Sequence, residues 1–438
     1  MKAILCVLIA SFGLLNLNAE SPVESRRTAL RASRMLDVNS GRMISNPVLL
    51  IEGDRISSVG SNLEVPPEYR ILDLGDATLL PGLVDCHTHL CSVFEPKVSE
   101  SDSLPLRLIR MSTADRALLG AAMGRELLES GITTVRDVGN SGLNADIALR
   151  EATNKQWVVG PRMFVATRGL APIGAQFPRI QPESQGMIGT EYSVLTGADE
   201  ARKAVRQAYF DGADFIKAYA IAGMSYEELK VIIEEAHRLK MKVAVHATKD
   251  LAIRQAIEAG CDSIEHGYQM SDDTLRLMAI RKVVLVPTTY KVEFWKWYQG
   301  LKGLPAEAKD AEWAVQEPYA QMKMQTLAKA VRFGVPIAAG SDMYIELPGM
   351  TRGQASLLIF RAYTEAGMTP LQVIRAGTMN GADLIGERAM CGRLESGKFA
   401  DVIAVSGDPM TDIRELERVK FVMSRGRVVR NDLWALTK

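Results

Sequence analysis

His87, His89, Lys217, His246, His266 and Asp342 are the side chains of this sequence whose types and positions can do chemistry together. Imidazoles and a carboxylate form a ligand set suited to zinc and neighbouring divalent metals. Four of the chain's five histidines belong to this group. Strand side chains alternate, so His87 and His89, two residues apart, point to the same side of an extended stretch and can grip one metal together. Taken singly, each has a plainer reading: His246 and His266 as satisfied core histidines, Asp342 as the cap of a following loop. Their common position at the ends of predicted strands favours one metal site. The fifth histidine, His237, lies mid-helix in Glu-Glu-Ala-His-Arg-Leu and reads as part of a solvated face. Lys217 cannot ligate as an ammonium, and from its residue type alone it reads as a structural lysine paired with a carboxylate.

The elements that must position these groups follow from periodicity. Candidate strands are 83–87, 133–137, 162–166, 215–219, 242–246, 263–266, 283–287 and 336–342. Helical stretches such as 225–239 and 251–259 follow them, with apolar residues at i, i+3 and i+4. Eight strand–helix units predict an α/β fold with a (β/α)8 TIM barrel, which takes roughly 250 residues plus insertions. The six groups then fall at the C-terminal ends of barrel strands, the face where such folds place their sites. Loops are expected at 90–107, 170–196 and 290–317. The stretches 29–80, 400–405 and 419–429 alternate apolar and polar residues between Gly-Asp and Gly-Ser turns. The expected domains are therefore a small β-sandwich from 20–80 plus 389–438 and a barrel over 81–388.

The chain of 438 residues is 47% hydrophobic and 24% charged, ample for a core and without a disordered composition. Lys+Arg and Asp+Glu each number 52, so no basic surplus attracts nucleic acid or an anionic membrane. The five cysteines, Cys6, Cys86, Cys91, Cys261 and Cys391, are too few and too irregular for a disulfide framework and read as buried thiols. Met1–Ala19 has a positive residue, an apolar run and a small-residue end, the anatomy of a secretory signal peptide. Export to periplasm or medium is expected, with no membrane contact after its removal.

Pro81-Gly-Leu-Val-Asp-Cys-His-Thr-His, Asp214-Phe-Ile-Lys, Val243-Ala-Val-His-Ala, Ser263-Ile-Glu-His-Gly and Gly340-Ser-Asp resemble the metal-dependent amidohydrolase superfamily. Gly131-Ile-Thr-Thr-Val-Arg-Asp, Gly160-Pro-Arg, Pro287-Thr and Gly397-Lys-Phe-Ala-Asp-Val-Ile resemble its branch of imidazolonepropionase-like enzymes and Xaa-Pro dipeptidases. The resemblance implies two divalent metal ions, zinc being expected, bridged by a carboxylated Lys217. His87, His89 and Asp342 would then hold one ion, and His246 and His266 the other. It also implies amide hydrolysis, for which Asp342 is the candidate to move the proton from water to the leaving nitrogen.

Tyr219 shares the side of Lys217 and is a candidate donor to the developing oxyanion, or equally an aromatic filling the barrel. Arg136, Arg168 and Tyr290 are candidate receivers of a substrate carboxylate. Gly174-Ala-Gln-Phe and Thr248 stand where the branch often carries histidines, so exact specificity does not transfer. The expected substrate is a small-molecule amide: a dipeptide or N-acyl amino acid with a free carboxylate, including N-acyl aromatic toxin amides. The alternatives are a cyclic amide or imidazolone ring opener and a non-catalytic metal-binding protein. A homo-oligomer is the expected assembly.

Overall fold

The structure is a computed structural model that describes residues 27–98 and 100–433; the expected signal peptide and Cys6 lie outside the described residues. It is an α/β fold. Two groups of parallel strands carry the predicted ligands. One sheet orders Arg162–Val165, Ile132–Asp137 and Leu83–Thr88; the other orders Tyr192–Val194, Gly169–Ala171, Ile216–Tyr219, Val243–Ala247, Ser263–His266 and Val284–Val286. Backbone bonds tie their margins together: Asp214 N to Val165 O at 2.8 Å on one side, and Cys86 N to Ala339 O and Leu285 N to Pro336 O, both 2.8 Å, on the other.

Alternation sorts the strand residues. Ile216, Ala218, Val243, Val245, Ala247 and Ile264 join the large apolar core shared with the helices. Lys217, Tyr219, His246 and Glu265 take the opposite face. The helices cover the first face because their own apolar stripes match it. In Tyr226–Arg238 the capping box of Ser225 and Glu228 sets the start, and Leu229, Ile232, Ile233 and Ala236 form the buried stripe. Each such leucine or isoleucine contributes roughly 1.5–3 kcal/mol by leaving water.

The chain ends build two further sheets. One orders Arg55–Ser61, Pro47–Glu52, Arg27–Arg31 and Arg70–Asp73. The other orders Arg427–Asn431, Phe421–Ser424, Val402–Val405, Thr78–Pro81, Arg34–Asp37 and Arg42–Ser45. Leu30, Leu49, Ile51, Leu79, Val402 and Phe421 belong to one buried cluster shared by both.

The expected loops are largely structured. The 90–107 stretch runs into the helix Glu100–Arg110, and 290–317 holds Val292–Gly300 and the start of Ala306–Arg332. The 170–196 stretch supplies two short paired strands, Gly169–Ala171 and Tyr192–Val194. The predicted strand 336–342 is not a ladder: Ile337 makes a single bridge to Leu285, and the neighbouring amides bond separately to different partners. Gly340 explains part of this, since a Cβ there would sit 2.3 Å from Val286 and 2.7 Å from His87, so only a bare backbone passes.

Candidate metal centre

The residues at the strand ends do not simply continue the pleat. Asn140, Thr167, His266, Thr288 and Asp342 all have positive φ, between 47° and 72°. For His266 this matters directly. Glu265 already points to the side of Lys217 and His246, so regular alternation would aim His266 away; its φ of 72° brings the ring back to the same cluster.

His87 Nε2 and His89 Nε2 lie 3.5 and 3.3 Å from Asp342 Oδ1. Ligand atoms of these three residues all fall within 4.8 Å of one another. The His266 ring is 4.9 Å from that of His87 and 4.5 Å from that of His246, and its Nδ1 is 3.7 Å from Asp342 Oδ2. His246 pairs in register with Tyr219, two residues beyond Lys217, and the Lys217 Nζ is 5.3 Å from the Tyr219 ring. The structure thus brings all six predicted ligands to one rim.

The donor chemistry fits divalent cations. His87 Nε2 and Asp342 Oδ1 are buried and make no hydrogen bond among the described residues, an arrangement a cation between them completes. His87 gives its Nδ1–H to Glu265 Oε2 at 2.6 Å and His89 its Nδ1–H to Gly139 O at 2.8 Å, leaving each Nε2 lone pair for the site. Burial, with Lys217 nearby, pushes His87 down to about 4 and His246 to about 3, so both are neutral at pH 7, the form a ligand needs. Burial pushes Lys217 down to about 8, and its amine has no hydrogen bond or ion pair among the described residues. It is not the carboxylate-paired structural lysine that its residue type alone suggests.

Glu265 is the residue that sequence reasoning passed over. Its carboxylate takes His87 on one oxygen, and Arg136 and Ser263 on the other, each at 2.6 Å. Burial raises its pKa, but Arg136 and the bond to His87 overcome this and hold it below the usual carboxylate range. The signal was its place one residue before a candidate ligand, on a face it shares with Ser263.

The proposed carboxylate receivers fare differently. Arg136 is buried, with Nε on Cys86 O and its other nitrogens on Ser263 and Glu265, so it faces the ligand-holding network and not the mouth. Tyr290 is buried too and donates to Ser341 O at 3.0 Å. Arg168 donates to Gly189 O at 2.9 Å on the exposed side. Tyr219 is buried, and its hydroxyl donates to Asn140 Oδ1 at 3.1 Å. Among the described residues, Cys86, Cys91, Cys261 and Cys391 are buried free thiols, as their spacing suggests.

Residues 78–429 match the amidohydrolase family. An ochratoxinase of Aspergillus niger is 30% identical over 434 residues, covering 91% of this chain and 85% of that protein. An imidazolonepropionase of Symbiobacterium thermophilum is 26% identical, covering 86% and 87% respectively. Among solved structures, a Xaa-Pro dipeptidase with methionine bound in its active site superposes with a TM-score of 0.79 at 31% identity, covering 92% of this chain and all of that one. The match across most of the chain, on a rim whose histidines and aspartate suit a divalent metal, makes this protein a member of the amidohydrolase family, an enzyme that hydrolyses amide bonds.

Proposed function

We propose that this chain is a binuclear metal hydrolase of dipeptides or N-acyl amino acids, carboxypeptidase- or prolidase-like, with N-acyl aromatic amides in its range. The observation that carries the reading is the convergence of four imidazoles, Asp342 and a buried, unpaired lysine on one rim. In this reading the parallel strands form a (β/α)8 barrel over 81–388, supported by the backbone bonds that join their margins through 336–342. The two sheets of the chain ends, within 27–80 and 389–433 of the described residues, form a β-sandwich domain around their common apolar cluster.

His87, His89 and Asp342 would hold one cation, and His246 and His266 the other. The neutral Nζ of Lys217 would add carbon dioxide and release one proton, and the resulting carbamate would offer its oxygens to both cations. Bound divalent cations polarise a scissile carbonyl and make water acidic near neutral pH. The chain's own groups do the rest. Asp342 accepts the proton of the attacking water and passes it to the leaving nitrogen, which departs as an amine. Glu265 keeps His87 in one tautomer, with Nε2 facing the site. Tyr219 exchanges its bond to Asn140 for the developing oxyanion. Replacing it, Tyr219→Phe, is expected to lower kcat about 100-fold with KM little changed. A larger effect on KM than on kcat would assign Tyr219 to substrate binding instead.

The substrate class is supported by the similarity to proteins named ochratoxinase and Xaa-Pro dipeptidase, the latter with a free amino acid in its active site. The test is metal analysis of the purified enzyme together with a screen of N-acyl amino acids and Xaa-Pro dipeptides. Two equivalents of metal and hydrolysis of carboxylate-bearing amides are expected. Ring opening of cyclic amides alone, or bound metal without hydrolysis, would overturn the reading.

A further inference from the structure

Arg107 sits on the helix Glu100–Arg110, whose chain leads away from His89. Its side chain is 9% exposed, and its Nε is buried without a hydrogen bond among the described residues. The nearest carboxylate is Glu191, with Oε1 3.7 Å from Arg107 Nη2. That carboxylate is already engaged. Arg116 grips it bidentately, at 2.7 and 3.1 Å, and the Gly142 amide donates to it at 3.2 Å. Arg116 is itself fully used, with Nε on Cys91 O and Nη2 also on Asn140 O.

Two buried guanidiniums therefore share one carboxylate, and Arg107 is the surplus charge. An under-paired buried cation is costly, and fold stability gives no reason to keep it. Burial pushes its guanidinium below the ordinary range, with Glu191 opposing that shift and Arg116 adding to it. Tyr192, next to Glu191 in the chain, accepts at its hydroxyl from Asn140 Nδ2 at 2.9 Å, and Asn140 in turn takes the Tyr219 hydroxyl at 3.1 Å; the Tyr344 ring also acts on the Arg107 charge. These are the rings that reach the metal rim: Tyr344 packs edge-on against His89 at 5.7 Å, and Tyr192 against Tyr219 at 5.2 Å. The planar fork of an arginine matches a carboxylate in two parallel bonds.

Building on the amide-hydrolase reading above, we propose that Arg107 is the specificity-determining receptor for the substrate's free carboxylate, in a subsite bordered by Tyr192 and Tyr344. The preferred ligand is an N-acyl amino acid or dipeptide whose C-terminal carboxylate completes the charge balance of the Arg107–Glu191–Arg116 group.

The test compares the wild type with Arg107→Gln and Arg107→Lys on two compounds: the best N-acyl amino acid of the screen, and the same molecule capped as a carboxamide. With Arg107→Gln, kcat/KM on the carboxylate is expected to fall about 100-fold, mainly through KM, and on the carboxamide to change less than about threefold. Arg107→Lys should keep an intermediate rate on the carboxylate, because charge survives while the fork does not. Equal losses on both compounds, or no loss on either, would overturn the proposal. L-methionine binding, followed by calorimetry, separates this from failure of the hydrolase reading itself. Binding by the wild type that is lost in Arg107→Gln and weakened in Arg107→Lys, with unfolding midpoints unchanged, supports Arg107 even without turnover. Absence of binding by the wild type, or equal binding by all three proteins, sinks it.

Discussion

Asp342→Asn is expected to keep its metal and lose turnover, with kcat falling about 10³–10⁴-fold, in the range that general acid–base groups contribute. The substitution leaves His87, His89, His246, His266 and Lys217 in place, and an amide oxygen still faces His87 and His89 as Asp342 Oδ1 does now. Asparagine also tolerates the φ of 50° at this position, so the backbone gives no separate reason for failure. What disappears is a group able to accept a proton from water and return it to nitrogen. Elemental analysis and steady-state kinetics on the same preparation check both halves. A variant within about tenfold of the wild-type kcat would remove Asp342 from proton transfer, and one that loses its metal would make it chiefly a ligand.

The second large effect is expected at Glu265. Glu265→Ala leaves Arg136 buried without its carboxylate and His87 without its orienting acceptor. Removing one member of a buried charge pair costs about 3–5 kcal/mol, so this variant should unfold at clearly lower denaturant. Glu265→Gln separates aim from stability, because its carbonyl still accepts from one neighbour. Its metal affinity should weaken about 10–100-fold, the usual effect of losing a partner behind a ligating histidine. Competition with a chelator measures it. Wild-type affinity in Glu265→Gln would show that His87 holds its orientation without the carboxylate.

Much of the site was legible because its residues are rare and its strands regular. Ser263–His266 runs as predicted, and the neighbouring strands differ from expectation by a residue or two at their ends. Elsewhere the pattern misled for identifiable reasons. Gly169–Ala171 and Tyr192–Val194 are three residues each, too short to show alternation, and are held by pairing, the first with both the second and Ile216–Tyr219. The aromatic run Val292–Gly300 and the proline within Ala306–Arg332 mask two helices that tertiary packing stabilises. Arg136 reads as a receiver of the substrate carboxylate until Glu265 and Ser263, more than a hundred residues away, claim its donors. Arg107 was hidden for the complementary reason: a charge surplus is a property of three side chains in space and leaves no mark on spacing.

The positive torsions at Asn140, Thr167, Thr288, His266 and Asp342 carry a consequence for the enzyme's adaptability. Residues other than glycine, asparagine and aspartate pay about 1–3 kcal/mol for such conformations. Selection for heat tolerance would therefore find its easiest gains at Thr167 and Thr288, where glycine removes that burden. Thr288 also bonds His266 Nδ1 at 2.8 Å, so the sturdier descendant would surrender the aim of a ligand. Endurance and speed are thus opposed in this chain at one ring of residues, with a core many times larger free to change without touching either.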